Sequence, residues 1–126
     1  MKQNATVTNS EWIIMELLWT KPHTLMELVN ELQTSVGWSK STVATMIRRM
    51  TQKGIASYTE QGRTKFFTPA LSRDEVSILE TKSLLQRAYH GSIGLLVSTM
   101  AQENSLTAAD IAELSRILEE AKEARK

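Results

Sequence analysis

The chain contains no cysteine, and its 126 residues include only two prolines and five glycines. Without cysteine it cannot form disulfides, bind zinc through thiolates or sense redox state through a thiol. No run of about 18 apolar residues is present, since the most apolar stretch, 93–100, is far shorter than a membrane span. The N-terminal decapeptide MKQNATVTNS lacks the apolar core of a signal peptide, so we expect a cytoplasmic protein without membrane insertion.

Histidine is also scarce. His23 and His90 are the only two, and neither has cysteine or paired acids at ligand spacing, so no metal site and no cofactor are expected. We expect His23 to lie in an exposed loop before the second helix. No glycine-rich phosphate loop occurs, and no pattern pairs a nucleophile with a base. The chain is therefore not expected to be an enzyme.

Positive charge is concentrated in one half of the chain, although the whole sequence carries only +1. Residues 1–70 hold eight basic and five acidic side chains, whereas residues 71–126 hold seven basic and nine acidic ones. Within 36–65, six basic side chains are opposed by Glu60 alone, a net charge of +5. Such a local excess is typical of a surface that faces a polyanion, although a solvated lysine-rich face has the same charge pattern.

Helix starts recur along the chain as a serine or threonine followed three residues later by an acid. In this capping box the hydroxyl accepts a hydrogen bond from a free backbone N–H, and the acid reaches back to the first residue. The four boxes are Thr8–Glu11, Thr24–Glu27, Ser72–Glu75 and Thr107–Asp110. Together with Ser39 and the spacing of apolar residues, they predict helices over about 9–19, 25–33, 40–53, 73–89, 92–102 and 108–122.

The third predicted helix has two contrasting faces. Its inward face is apolar and consists of Val43, Met46, Ile47 and Met50. The outer face is centred on Ser41, Thr45, Arg48 and Gln52, with Lys40, Thr42 and Arg49 on its flanks. No acid lies on this outer face, whereas a merely solvated helix face usually mixes both signs. Gly54 follows the helix as the expected left-handed residue at its end.

A β-hairpin is predicted directly after this helix. Residues 55–60 and 64–68 are rich in Ile, Tyr, Thr and Phe, and Gln-Gly-Arg lies between them. Arg63 is therefore placed at the hairpin tip with Lys65 beside it, and Pro69 ends the second strand. The fold class is mainly α with a small β-hairpin wing, in the element order of a winged helix-turn-helix.

In a winged helix-turn-helix, the third helix enters the major groove of DNA, where base edges are distinguishable. Short hydroxyl side chains and a long forked arginine suit that position, so we predict base contacts by Ser41, Thr42, Thr45 and Arg48. Phosphate contacts set register and affinity. We predict them for Ser39, Lys40, Arg49, Lys53, Arg63 and Lys65. The expected partner is double-stranded DNA.

The C-terminal part carries larger apolar faces than a segment of about 55 residues buries by itself. We therefore divide the chain into a winged-helix domain, 1–70, and a helical dimerisation domain, 71–126, in which two copies share a core. The side chains predicted to line this seam are Leu79, Leu84, Leu85, Tyr89, Ile93, Leu96, Val97, Met100, Ile111, Leu114, Ile117 and Leu118.

A set of short segments is distinctive beyond the helical pattern. They are Glu11-Trp12-Ile13-Ile14-Met15 with Leu18-Trp19, then Trp38-Ser39-Lys40-Ser41-Thr42-Val43, Arg49-Met50, Lys53-Gly54 and Glu60-Gln61-Gly62-Arg63. In these segments, and over its whole length, the chain resembles the penicillinase and methicillin-resistance repressor family (BlaI/MecI/CopY-like). The tryptophan–serine entry into the third helix and the Gly-Arg wing are the more specific parts of the likeness.

The resemblance implies a homodimeric repressor that binds an inverted repeat with TACA/TGTA-like cores and reads it with the third helix. It also implies interlocked C-terminal helices and a link to antibiotic resistance. The β-lactam-responsive members are inactivated when a membrane sensor-protease pathway leads to cleavage in the fifth helix, commonly at Asn-Phe. The equivalent position here is Thr99–Met100. Copper-responsive members use a C-terminal Cys-x-Cys pair that this chain lacks.

Two other functions fit the same elements. Helix-turn-helix folds also mediate protein contacts, so a winged-helix interaction module whose basic face docks an acidic partner is one alternative. The other is a small-molecule-sensing regulator with its ligand in the dimer cavity, although Tyr89 is the only aromatic residue after residue 70. The main prediction is a sequence-specific DNA-binding repressor that an inducing signal releases.

Overall fold

The computed structural model describes residues 7–126, and the fold is mainly helical with one two-stranded antiparallel hairpin, as predicted. Over these residues no helix is long and apolar enough to cross a membrane. The elements are α1 (Asn9–Thr20), α2 (Leu25–Val36), α3 (Lys40–Lys53), β1 (Ala56–Gln61), β2 (Thr64–Pro69), α4 (Arg73–Tyr89), α5 (Ile93–Gln102) and α6 (Ala108–Ala124).

All four predicted capping boxes form, which fixes the starts of α1, α2, α4 and α6. In the first box, the Glu11 N–H donates to Thr8 Oγ1 at 3.1 Å, and the Thr8 N–H donates to Glu11 Oε1 at 3.0 Å. Ser39 caps α3 by accepting the Thr42 N–H at 3.2 Å. Each such cap stabilises its helix by about 1 kcal/mol, so the chain fixes these starts locally.

Helix α2 is longer than predicted, because it continues to Val36 instead of stopping near residue 33. Residues 33–38, which include Gly37, were predicted to form the turn after this helix, but Thr34 and Ser35 are helical. In the structure their hydroxyls donate to backbone carbonyls one turn earlier, at 3.1 and 2.9 Å. The helix ends only at Gly37, where φ is +74° and glycine adopts the left-handed conformation without strain.

The chain divides into two compact units after Thr81, and the first unit has its own apolar core. Met15 is completely buried, whereas Leu17 of the same helix is partly exposed. Burying an aliphatic side chain of this size contributes about 1.5–3 kcal/mol. The largest fully buried residues are Ile14, Met15, Leu18, Leu28, Leu32, Val43, Met50, Ile55 and Val76.

The hairpin is attached to the start of α2 through His23. The backbones of His23 and Phe67 exchange two hydrogen bonds, of 3.1 and 2.7 Å, and form an antiparallel bridge beside β2. The prediction that His23 lies in an exposed loop is wrong, since its exposed fraction is only 4%. Its ring nitrogen Nδ1 lies 2.8 Å from the Lys21 carbonyl oxygen. The burial follows from the strand-like pairing, which draws this loop against the sheet.

Trp19 of α1 contacts the start of α4 and the residues just before it. Trp19 Nε1 donates to the Leu71 carbonyl at 3.0 Å, and the Arg73 guanidinium lies 4.6 Å from the centre of the Trp19 ring. Arg73 also donates to both carboxylate oxygens of Glu16, which accepts a further hydrogen bond from Trp12 Nε1. The hydrogen bond from Arg73 lowers the pKa of Glu16. The first turn of α4 is therefore part of the first unit.

The second unit, residues 82–126, contains the rest of α4 together with α5 and α6. None of its side chains is buried within the single chain. Ile93 and Leu118 are each 66% exposed. The first unit extends into α4, because Val76 of that helix is completely buried in its core.

Candidate nucleic-acid interface

The N-terminal end of α3 presents a cluster of hydroxyl groups. Ser39 Oγ lies 3.1 Å from Ser41 Oγ and donates to Thr42 Oγ1 at 3.0 Å. These side chains and neighbouring Lys40 are exposed. Helix α3 carries no acidic side chain, so the hydroxyls and the cation face solvent without a carboxylate beside them on this helix.

The remaining predicted contact residues of α3 lie further along the same outer face. Thr45 is half-buried, whereas Arg48 and Arg49 are exposed. On the opposite side Val43, Ile47 and Met50 are buried in the core, which confirms the predicted inward face. Packing of that face holds the polar face outward, and no side chain of α3 needs to rearrange to present it.

The wing carries two exposed cations. Arg63 lies in the turn between β1 and β2, next to Gly62, and Lys65 Nζ lies 4.5 Å above the ring of Tyr58. Glu60 is the cross-strand neighbour of Lys65. Across residues 7–126, none of the ion pairs includes Arg63 or Lys65, so both charges are available to a partner.

A groove between α3, the wing and the start of α2 brings three predicted contact residues together: Arg48, Arg63 and Lys65. Its volume is about 670 Å³. Gln52 was predicted on the outer face, whereas the lining residues from α2 and β1 were not predicted, because they are distant along the chain. The other lining residues are Thr24, Leu25, Met26, Ala44, Ile47, Thr51, Gln52, Tyr58, Thr64 and Phe67.

Lys53 is paired within the fold. Its Nζ donates to Glu11 Oε1 at 2.7 Å, and the side-chain exposures are 33% for Lys53 and 9% for Glu11. The phosphate contact predicted for Lys53 conflicts with this pairing, because withdrawing the cation leaves a buried carboxylate without its counter-charge. Lys53 thus links the end of α3 to the start of α1.

The twelve side chains predicted to line a dimer seam are all at least partly exposed in the single chain. Leu79 lies in the first unit, and the others lie in the second. The candidate cleavage position, Thr99–Met100, is inside α5, where Thr99 Oγ1 donates to the Leu95 carbonyl at 2.9 Å. The exposed large apolar residues of the second unit are Leu84, Ile93, Leu95, Met100, Ile111, Ile117 and Leu118.

The fold and the cationic face of α3 beside a basic wing define a winged helix-turn-helix protein of the DNA-binding repressor class. A family model described as penicillinase repressor matches residues 7–120. The chain belongs to the penicillinase repressor family, which confirms the resemblance seen in the sequence. It is a DNA-binding transcriptional repressor, and the family is not enzymatic.

Individual relatives span most or all of the chain. The penicillinase repressor of Bacillus licheniformis is 28% identical over 127 residues, covering 100% of this chain and 99% of that protein. The methicillin resistance regulatory protein MecI of Staphylococcus aureus (strain N315) is 23% identical over 113 residues, covering 89% and 92%. The solution structure of the DNA binding domain of the repressor BlaI matches with a TM-score of 0.53 and 26% identity, covering 60% of this chain and 93% of that domain.

Proposed function

We propose that this repressor acts as a homodimer on an inverted-repeat operator in the cytoplasm. The observation that carries this proposal is the contrast between a first unit with its own core and a second unit without a single buried side chain. Exposed apolar side chains on three successive helix segments are typical of an interaction surface. A second copy of the chain supplies a matching apolar surface by symmetry.

The recognition surface in this proposal is the outer face of α3. Near its N-terminus, Ser41, Thr42 and Thr45 allow close approach to base edges, and Arg48 has the length and fork geometry to bind guanine. Contacts to phosphates are proposed for Ser39, Lys40, Arg49, Arg63 and Lys65, which are exposed around that helix and on the wing.

A two-fold dimer presents two copies of α3 to one side of the duplex. Major-groove half-sites on that side are separated by one helical turn, about 34 Å, or by multiples of it. We therefore propose an operator with two inverted half-sites, for which TACA/TGTA-like cores are the starting candidates. The affinity of the dimer for the operator then exceeds that of a monomer, because the dimer binds both half-sites at once.

We further propose that an inducing signal acts through cleavage in α5 by a sensor-protease pathway. Thr99 and Met100 are inside the helix, so cutting between them requires local opening of that helix first. Cleavage there separates α6, with three of the seven exposed large apolar residues of the second unit, from the DNA-binding unit. The intact mass of the protein from host cells grown with and without a β-lactam tests this step. An unchanged full-length mass in induced cells rules it out.

Gel-shift titration against the chain's own promoter tests DNA recognition. Each phosphate contact contributes about −0.9 to the slope of log affinity against log salt concentration, so binding weakens between about 50 and 200 mM salt. Arg48→Ala is expected to reduce discrimination between operator and random DNA, whereas Lys65→Ala weakens binding to both alike. Binding that is insensitive to salt, or a monomer at micromolar concentration in sedimentation, contradicts the proposal.

A further inference from the structure

The groove between the wing, α3 and the start of α2, here called the wing groove, has an apolar interior. Ile47 and Phe67 are almost fully buried beneath it, with 3% and 8% of their surfaces exposed. The rings of Tyr58 and Phe67 lie 5.8 Å apart, centre to centre. Met26 at the start of α2 is 49% exposed and completes the apolar lining. Apolar side chains from three elements therefore surround one space.

The charged part of the lining is cationic. Arg48, Arg63 and Lys65 line the wing groove, and within residues 7–126 no acidic side chain does. Glu27, the nearest acid along α2, accepts the Thr24 N–H at 2.8 Å in its capping box, and this hydrogen bond lowers the pKa of Glu27. The groove thus combines an apolar interior with three positive charges.

A DNA backbone does not account for this combination. Contacts to duplex DNA are dominated by phosphate and sugar atoms, and they require charge and hydrogen bonding at an open surface. They gain little from a recess between Tyr58, Met26 and Ile47. Recesses of about 300–1,000 Å³ with an apolar lining and a few polar groups are instead typical of small-molecule sites. At about 670 Å³ the wing groove falls within that range.

We propose that the wing groove binds an amphipathic organic anion, and that its occupancy excludes operator DNA. The apolar body of the ligand packs between Met26 and Tyr58, and its carboxylate or sulfonate is held by Arg48 and Arg63. The exclusion rests on the proposed function, because the same two cations are the proposed contacts to DNA. This ligand thereby relieves repression directly, without cleavage of the chain.

A suitable probe is 8-anilinonaphthalene-1-sulfonate, which fluoresces more strongly in apolar sites and carries one negative charge. N-phenyl-1-naphthylamine has the same rings without the sulfonate and serves as the matched uncharged control. For the full-length protein without DNA, we expect the sulfonate to bind at least tenfold more tightly than the control. Amide NMR shifts are expected at Met26, Ala44, Tyr58 and Lys65. Equal affinity for the two compounds overturns the cation-held site.

Two variants separate the wing groove from other apolar surfaces. Met26→Glu places a negative charge in the lining, near a helix N-terminus where an acid is tolerated, and is expected to weaken sulfonate binding about tenfold. Ile13→Glu changes an exposed apolar residue of α1 outside the groove and serves as its control. Tyr58→Ala provides a second test in case Met26→Glu fails to fold, which circular dichroism reveals. Unchanged sulfonate binding in a folded groove variant places the probe elsewhere and overturns the proposal.

Competition with DNA tests the second part of the proposal, that an occupied wing groove excludes operator DNA. Operator affinity is measured by fluorescence anisotropy with increasing sulfonate, and the sulfonate is expected to raise the apparent dissociation constant in inverse proportion to the fraction of protein that it leaves unoccupied. If the protein binds the sulfonate in the groove but leaves operator affinity unchanged, exclusion is wrong. If no operator binding occurs even without the sulfonate, the proposed function fails, while the direct titration still decides whether the site exists.

Discussion

The two compact units of this repressor differ in how much apolar surface they bury within one chain. Residues 7–81 bring α1, α2, α3, the hairpin and the first turns of α4 around one core, with nine large side chains that are essentially inaccessible. Residues 82–126 form helices that are equally well capped, yet no side chain among them is buried. Local helix signals are therefore present in both units, whereas a self-contained core is present in one.

Capping and burial are therefore separate sources of stability. A cap is made by residues three apart and needs no partner, while a core needs several elements or a second chain. The first unit is expected to be stable at any concentration, and the second to depend on association.

The largest effect is expected in the core of the first unit. Ile14→Ala removes a fully buried side chain, and the resulting cavity lowers the free energy of unfolding by about 2–5 kcal/mol. Trp12, Trp19 and Trp38 all lie in this unit, so tryptophan fluorescence in urea measures it selectively. Ile117→Ala, 45% exposed in α6, serves as the control and leaves this fluorescence transition in place. Equal losses from both substitutions contradict the contrast between the units.

The second effect concerns association. Leu118→Glu puts a charge where a 66%-exposed leucine is proposed to meet the partner copy, and is expected to raise the dimer dissociation constant about a hundredfold, or about 2.8 kcal/mol. Ala112→Glu adds the same charge on the opposite face of α6 and is expected to leave the dimer intact. Sedimentation equilibrium at several concentrations measures both. A dimer that tolerates Leu118→Glu places the interface elsewhere.

The third effect separates a structural lysine from a DNA-binding one. Lys53→Met leaves Glu11, with 9% of its side chain exposed, without a counter-charge, and is expected to lower the free energy of unfolding by about 1–3 kcal/mol. Operator affinity should be unchanged. Lys65→Met should do the reverse, keeping stability and reducing the salt slope by about 0.9. Loss of operator affinity in folded Lys53→Met would restore the phosphate contact predicted from sequence.

The smallest effect is a pH dependence. The hydrogen bond from Arg73 lowers the pKa of Glu16 below its usual 4.5. A carboxyl with a depressed folded-state pKa adds stability above its unfolded pKa, and this stability is lost as the pH falls through the folded value. Acid unfolding followed by tryptophan fluorescence should therefore be shallower for Glu16→Gln than for the wild type below about pH 4.5. Asp110→Asn removes another carboxyl group whose pKa is lowered. Because Asp110 lies in the second unit, this substitution should not alter the tryptophan signal. If the wild type and Glu16→Gln have identical acid unfolding profiles, the ion pair between Arg73 and Glu16 does not contribute to the pH dependence of stability.

Helix starts and faces were predictable because their causes lie within a few residues. The capping boxes, the inward face of α3 and the left-handed end at Gly54 all follow from residue type and spacing. The end of α2 was missed because Thr34 and Ser35 satisfy their hydroxyls on the helix itself, which leaves Gly37 to determine where it stops. Local propensity was the weaker influence there.

Features that involve distant residues could not be predicted, for a different reason. Glu11 and Lys53 are 42 positions apart. The residues next to each of them in the sequence do not indicate that Glu11 is buried or that it pairs with Lys53. His23 is buried by pairing with Phe67, which depends on the placement of the hairpin. The wing groove likewise exists only once α2, α3 and the wing are assembled. The charge pattern identified the cations of the candidate site, but its apolar lining required the three-dimensional structure.

The bridge between His23 and Phe67 has a consequence for DNA bending. Because it joins the base of the hairpin to the residues preceding α2, two backbone hydrogen bonds hold the wing there in addition to its chain connections. We expect a wing held in this way to adjust little to the duplex, so that the duplex adjusts to the wing. Operators with stiff base steps between the wing contact and the α3 contact are then bound more weakly, even where no side chain touches a base.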